Sequence, residues 1–275
     1  MPFESASGVD EYSKANRANW NERVNYHFSS RFYDVAGFLS GCSTLRPIEL
    51  QALGDISGKR ILHLQCHFGL DTLSLNRMGA LVTGVDFSEN AIEKARALAA
   101  KTQQNVKFVC CDVLELDKVL SDRDFDLVFA SYGIFCWISD LNRWFQVAHQ
   151  MLRSNGRVYL VDGHPILDSL DIVDGSAVVV QRQANPVKCE VRTSYTEGSE
   201  SLKNSVTYQW THRLEDFREA ASSAGFKTIQ IDEYPYCHYQ RFSQLVQRFD
   251  GYWELPGNEL PMLFSMNCAR ESPVV

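Results

Sequence analysis

The chain has 275 residues, 45% of them apolar, with a net charge of -7 and a pI near 5.5. That length allows one large α/β domain with an ample core, and the acidic balance argues against a nucleic-acid backbone as the main partner. No apolar run approaches the ~18–20 residues of a membrane span, and the opening MPFESASGVDEYSK lacks a signal peptide's apolar core. A cytoplasmic protein that binds no membrane is therefore expected. The 8 cysteines show no CxxC spacing and several fall in apolar runs, so they read as buried reduced thiols rather than metal ligands or disulfides.

In chain order, residues 1–10 read as frayed. Residues 12–26 follow a helical pattern, with Tyr12, Trp20 and Val24 on one face and Asn and Arg opposite. Residues 28–39 add Phe32, Tyr33, Val35 and Phe38 before a break at Gly41, and a short helix covers 48–53. This N-terminal part, residues 1–57, reads as a helical arm on the sheet edge, as a lid over a small ligand, or as both.

The stretch 58–165 reads as a core. Ile61, Leu62 and Leu64 form a short buried strand, and a tight connection over 63–69 leads into a helix marked by Leu70, Leu73, Leu75 and Met78. Gly79-Ala80 closes that helix, and a second strand (Leu81, Val82, Val85) ends at Asp86. Ser88 caps a helix over 89–99. Strands over 106–111, 125–130 and 157–161 end at Asp112, at Ser131-Tyr132-Gly133 and at Asp162-Gly163-His164, with a helix over 141–152 and a turn at Asn155-Gly156. Alternation of strand and helix implies parallel strands and right-handed crossovers, that is, a Rossmann-like doubly wound α/β fold with helices on both faces.

Residues 166–210 break the pattern. Short antiparallel strands at 177–182, 189–193 and 205–210, with turns at Asn185-Pro186 and Glu197-Gly198-Ser199, read as a β insertion serving as a lid or as a contact in a homodimer. Residues 211–275 complete a mostly parallel, seven-stranded sheet. They supply a helix over 214–224 stopped by Gly225, a strand over 227–233, an aromatic segment over 234–242 and a last strand over 262–268. The tail after Arg270 reads as loose, and the whole as one domain.

The first turn sets what the core can hold. It has Gln65, Cys66, His67 and Phe68 before a single glycine, Gly69, and matches neither G-x-G-x-x-G nor G-x-x-x-x-G-K-[ST]. Backbone amides cannot crowd a pyrophosphate there, which leaves a nicotinamide dehydrogenase poorly supported. An adenosine cofactor without phosphates needs less. It needs one close backbone approach, a carboxylate for the ribose hydroxyls and an acceptor for the adenine amine. Asp86 and Asp112 stand at successive strand ends in the order for those two tasks.

From about Gly58 to Cys268 the chain resembles the class I S-adenosylmethionine-dependent methyltransferases. Val82-Thr83-Gly84-Val85-Asp86-Phe87-Ser88 matches that family's ribose motif, Cys111-Asp112-Val113 its adenine motif, and Ala130-Ser131-Tyr132-Gly133 its strand end near the sulfonium and acceptor. Ala224-Gly225-Phe226 is similar to the late helix-to-strand turn of the same folds. The segment HLQCHFGLDTLSLNRMGA resembles a small-molecule branch with a His-Leu-Gln-Cys first loop. The usual first loop is acid-x-Gly-x-Gly-x-Gly. Here His63 takes the acid's place, Gln65 and His67 replace glycines, and the loop's backbone path is open.

The resemblance implies S-adenosyl-L-methionine as cofactor, S-adenosyl-L-homocysteine as product and a small-molecule methyl acceptor. It places His63, Gln65, Gly69, Asp86, Phe87, Ser88, Asp112, Val113, Ser131 and Trp20 at the cofactor, with Asn21 or Arg17 as further holders of its amino-acid end. Methyl transfer is an in-line displacement and needs a base only when the acceptor starts protonated. His164, just past the fifth strand, is the first candidate base, with capping a loop as its bland alternative, and Tyr132 stands beside it at the reacting end. Asp162 is placed to orient that histidine or to touch the acceptor. His212 and His238 are candidates for the acceptor wall, and packing is their simpler fate. His63 and His67 have no third partner at metal-ligand spacing. A catalytically silent cofactor-binding protein or partner subunit is the alternative to an enzyme, suggested by the loop that has lost its glycines.

Overall fold

The structure is a computed structural model and describes residues 6–173, 176–180, 184–196, 201–257 and 259–270. The expected turn at 197–199, the end of the 177–182 strand, the first five residues and the tail after Arg270 lie outside the described residues.

The chain begins with helices α1 (Ala6–Ser29), α2 (Val35–Leu39) and α3 (Pro47–Leu53). It then alternates β1 (Arg60–Leu64), α4 (Leu70–Arg77), β2 (Leu81–Asp86), α5 (Glu89–Lys101), β3 (Lys107–Cys110), α6 (Leu116–Val119), β4 (Phe125–Ser131), α7 (Leu141–Met151) and β5 (Leu152–Gly163). Two hairpins follow, β6 (Leu170–Val173) with β7 (Ser176–Val179), and β8 (Val187–Glu190) with β9 (Val206–Gln209). Then come α8 (Leu214–Ser223), β10 (Phe226–Tyr234), the two-residue strands β11 (Tyr236–Cys237), β12 (Val246–Gln247) and β13 (Trp253–Glu254), and β14 (Leu263–Arg270).

The main sheet has 7 strands in the order β10-β14-β5-β4-β1-β2-β3. Its pairings from β5 to β3 are parallel, and β14 runs antiparallel to both β5 and β10. The order reverses between β1 and β4, so the crevice at their carboxyl ends is where a ligand sits in such a sheet. The strands are nearly continuous apolar runs because both faces are covered. On one face α7 and α8 bury Trp144, Phe145 and Phe217 against the sheet. On the other, α3 and the β11-β13-β12 sheet pack Leu53, Ile48 and Tyr252 against Phe129 and Tyr159. Side-chain caps fix the helix starts: Ser88 accepts from the Ala91 amide, Asp140 from Arg143 and Asp216 from Arg213.

Two expectations are corrected. Asn155-Gly156 does not precede its strand; β5 starts at Leu152, and Asn155 takes a left-handed φ of 63° within it, where the register against β4 shifts. Helix α1 does turn Trp20 and Val24 inward, but Asn and Arg are not confined to the opposite side: among its described side chains the buried ones are Asn16, Asn19, Arg23, Val24 and His27. They are buried because the β8-β9 hairpin lies over the helix and uses them. Asn16 donates to the Tyr208 carbonyl (2.7 Å) and accepts from its amide (2.8 Å), acting as one more peptide unit on the β9 edge. Glu22 accepts the Lys203 and Asn204 amides at 2.8 Å each. No helix among the described residues is long and apolar enough to cross a membrane.

Candidate active site

A cavity of about 560 Å³ opens at the carboxyl ends of β1, β2, β4 and β5, within the range of small-ligand pockets. Its floor begins with the loop after β1. At the three positions where the resembled loop carries glycine, φ is +55° at Gln65, +51° at His67 and +80° at Gly69. The path is thus the left-handed one that glycine favours, held by two residues that adopt it at a cost of about 1–2 kcal/mol each. Their side chains offset that cost. Gln65 donates to the Ile134 carbonyl (3.0 Å) and accepts from the Trp144 indole (3.2 Å). His67, His27 and Tyr33 form a triangle of near-parallel rings with centroids 5.1–5.3 Å apart, and His67 Nε2 lies 3.1 Å from His27 Nδ1. Gly69 is required: a Cβ there meets the Phe108 ring at 2.9 Å.

Gln65 lines the cavity, and its amide also braces the turn after β4 through one donated and one accepted bond. His63 is buried with Nδ1 2.8 Å from the Thr72 hydroxyl, and burial holds its ring below the ordinary histidine value against the pull of Asp71.

Asp86 and Asp112 both face the cavity, with Phe87 and Val113 beside them. Asp86 accepts the Ser88 amide on Oδ1 (2.9 Å) and the His67 amide on Oδ2 (2.8 Å). Burial nevertheless raises it to about 6, with those amides pulling the other way. Each oxygen keeps a lone pair for a ligand hydroxyl. Asp112 accepts the Leu114 amide on Oδ1 (3.0 Å) and the Ser13 hydroxyl of α1 on Oδ2 (3.1 Å). Ser88 is corrected: it is buried beneath α1, caps α5, donates to Asn21 at 2.6 Å and does not line the cavity.

At the end of β4, Ser131 donates to Asp71 Oδ2 (3.1 Å) and Thr44 to Asp71 Oδ1 (2.5 Å). Tyr132, at φ +50°, stacks on His238 with ring centroids 4.3 Å apart. Its hydroxyl is buried beside Glu49, and burial with that carboxylate holds the phenol well above its usual range. Burial raises Glu49 in turn to about 7, with Asp71 adding to the rise.

Asp162 accepts the amides of Ile134 and Phe135 on one oxygen and of Gly133 on the other, so it holds the turn after β4. That corrects its expected place on His164. His164 reaches the cavity wall, yet Nδ1 accepts the Ile166 amide (3.1 Å) and Nε2 lies 2.8 Å from Glu233. Both ring nitrogens are engaged, so the capping alternative holds and a role as base requires one contact to break. His238 lines the cavity with Nδ1 buried and without a hydrogen-bond partner, and burial, Arg46 and Arg241 depress it to about 3. His212 also lines it, with Nε2 near the Phe135 and Ile138 carbonyls.

The roof is α1 with the segment before β9. Trp20 stands edge-on to His67 and Trp137, both centroids 5.4 Å away. Asn21 and Arg17 do not reach the cavity; they contact Glu89 at 2.7 and 3.5 Å and brace α1 on α5. The arginine of α1 that does reach it is Arg23, 5% exposed, which the sequence reading missed. The signal was spacing: Asn16, Trp20, Arg23 and His27 recur at four, three and four residues along one helix face.

Residues 61–156 match the family model described as a methyltransferase domain. A ubiquinone biosynthesis O-methyltransferase from Coxiella burnetii is 26% identical over 46% of this chain and 55% of its own. A 2-phytyl-1,4-naphtoquinone methyltransferase from Nostoc sp. is 35% identical over 39% and 48%. The chain thus spans about half the length of the curated relatives it matches. Among solved structures, an S-adenosylmethionine dependent methyltransferase from Mesorhizobium loti aligns with a TM-score of 0.59 at 22% identity, over 84% of this chain and 100% of its own. A 1,6-didemethyltoxoflavin-N1-methyltransferase from Burkholderia thailandensis aligns at 0.55 and 15%, over 99% and 93%. These structures share the fold.

Proposed function

We propose that this chain, whose residues 61–156 match a methyltransferase-domain model and whose fold is shared with S-adenosylmethionine-dependent methyltransferases, transfers a methyl group from S-adenosylmethionine to a small molecule inside the cavity. What supports this most is the pair of acids, Asp86 and Asp112, at successive strand ends facing one enclosed volume. The residues suit the cofactor. Asp86 keeps lone pairs for ribose hydroxyls and Asp112 an oxygen for the adenine amine. The bound cofactor supplies an electrophilic methyl on a sulfonium.

The chain's own part is to align and to exclude water. Trp20, Tyr33 and Trp137 wall the acceptor side, and α1 with its hairpin covers it. Where the acceptor starts protonated, His238 is better placed than His164 to receive its hydrogen bond, because Nδ1 has no protein partner. At about 3 it serves as a hydrogen-bond acceptor that orients the nucleophile rather than as a store for the proton. Tyr132 positions that ring by stacking.

The experiment is methyl transfer from labelled S-adenosylmethionine into a metabolite extract. Label in a small-molecule fraction, lost in Asp86→Ala, supports the reading. Intact cofactor binding with no label in any small molecule contradicts it. His238→Ala is expected to lower turnover at least tenfold with cofactor affinity unchanged, and His164→Ala to lower it less; the reverse order returns the role to His164.

A further inference from the structure

Past the two acids the cavity continues over the ends of β4 and β5, where Arg46, Arg241 and His238 line it. His238 stacks on Tyr132 at the end of β4, and Arg241 donates to the Leu167 carbonyl in the turn after β5 (3.4 Å). Arg46 donates to the His238 carbonyl (3.3 Å), so both guanidiniums are tied to this end. With neighbouring strands about 4.8 Å apart, the end of β2 with Asp86 is roughly 10 Å across the sheet from that of β4, and the end of β3 before Asp112 roughly 19 Å from that of β5. A nucleoside held by the two acids lies over β2 and β3, and the β5 side is left for the second ligand. Both arginines are loosely held there. Arg46 makes no ion pair among the described residues; beyond that carbonyl its guanidinium has the Tyr252 ring at 5.5 Å. Arg241 meets Asp168 at 3.7 Å, too far for a hydrogen bond, with both side chains about a third exposed, and such pairs hold weakly. The other acids nearby are bound elsewhere: Asp71 to the Thr44 and Ser131 hydroxyls, Glu49 to the Arg46 amide, and Asp162 to the Gly133, Ile134, Phe135 and Gly163 amides. The charges that bear on the His238 ring are those of the two guanidiniums. With burial they depress it to about 3, so the field at its unpartnered Nδ1 is positive.

We propose that Arg46 and Arg241 form a carboxylate subsite beside His238, and that the methyl acceptor is an organic acid whose carboxylate they hold while its nucleophilic atom donates to His238 Nδ1. This names the acceptor class of the methyl-transfer reading and rests on it. The charge count selects one negative charge, because Asp168 balances one guanidinium and leaves the other in surplus. A guanidinium fork meets a flat carboxylate with two parallel hydrogen bonds, so two forks next to one imidazole fix both where the acid sits and which way it faces. The same pair keeps His238 neutral. In the tautomer protonated on Nε2, its Nδ1 lone pair then stays free for the nucleophile's hydrogen bond. Selectivity follows, since a neutral amide of the same shape leaves the surplus cation unpaired.

The test saturates the whole chain with S-adenosylhomocysteine and titrates in benzoate or its neutral isostere benzamide at constant ionic strength, with the melting temperature as readout. Benzoate should raise the melting temperature of wild type and benzamide should not. Arg46→Gln and Arg241→Gln should each weaken benzoate at least tenfold. Calorimetry should find S-adenosylhomocysteine affinity unchanged in both, which certifies the fold and separates this subsite from the cofactor's. For turnover, a metabolite extract is split on an anion exchanger before labelled S-adenosylmethionine is added, and the retained, acidic pool should take the label while the unretained pool does not. Equal stabilisation by benzoate and benzamide, variants that respond to benzoate as wild type does, or label confined to the unretained pool each overturn the proposal. So does a tenfold loss of S-adenosylhomocysteine affinity in a variant that still melts cooperatively, which hands the guanidiniums to the cofactor. Where a variant does not fold, the wild-type melts and the extract pools decide. Failure of wild type to bind S-adenosylhomocysteine overturns the methyl-transfer reading instead, and benzoate against benzamide on the free protein still decides the subsite.

Discussion

Asp86 concentrates the chemistry of the site in one carboxylate. Burial raises it to about 6, so at neutral pH it is ionised, and at pH 5 it is mostly protonated. Ribose hydroxyls donate best to the ionised form. Affinity for S-adenosylhomocysteine should therefore be flat above pH 7 and weaken by about tenfold per pH unit below pH 6, read by calorimetry across that range. Constant affinity down to pH 5 contradicts the assignment. Asp86 and Asp112 were legible in the sequence because a strand followed by an acid is a local pattern. The tasks of Gln65 and His67 were not, because they depend on Ile134, Trp144 and His27, which lie far away in sequence. At Gly69 an alanine meets both Phe108 and a φ of +80°, so Gly69→Ala should cost about 2 kcal/mol or more in denaturant melts.

Helix α1 shows where hydrophobic periodicity misleads at the level of elements. Its buried face is polar, because the β8-β9 hairpin supplies backbone groups rather than apolar side chains to pack against. A search for apolar residues at helical spacing finds the core helices α5 and α7 and misses the polar residues that share this helix's inner face with Trp20 and Val24. The β11-β13-β12 sheet was missed for another reason: two-residue strands carry no alternation to read. The seven strands of the main sheet, by contrast, were each visible as apolar runs bounded by turns. The Asn16 bonds to Tyr208 predict that Asn16→Ala loses about 2 kcal/mol and speeds hydrogen exchange at the Tyr208 amide, with core amides less affected. Exchange there at the wild-type rate removes the coupling of helix and hairpin.

For the whole molecule, burial of histidines sets the response to acid. His27 and His238 are held near 3, and His67 and His63 also lie below their ordinary value of 6.5. An unfolded chain binds protons at these groups once pH falls below about 6.5, and the folded chain does not, so folding stability drops as pH falls from there toward 4. Glu49 and Asp86, raised to about 7 and about 6, act the other way, because the folded chain holds their protons longer. His149 and His212 are also lowered and Asp162 is also raised, so six histidines oppose three carboxyls, and the melting temperature should fall on acidification. His238→Gln should flatten that slope; an unchanged slope excludes His238 as a contributor.

Those acids and the cavity above them come together in one titration: calorimetry of S-adenosylhomocysteine into wild type, Asp86→Ala and Ser88→Ala at pH 7.5. Wild type should bind in the micromolar range or tighter. Asp86→Ala should lose about a hundredfold or more, whereas Ser88→Ala, which removes the α5 cap and the bond to Asn21, should stay within about threefold while losing about 1 kcal/mol or more of stability. No binding by wild type, or equal binding by Asp86→Ala, contradicts the account.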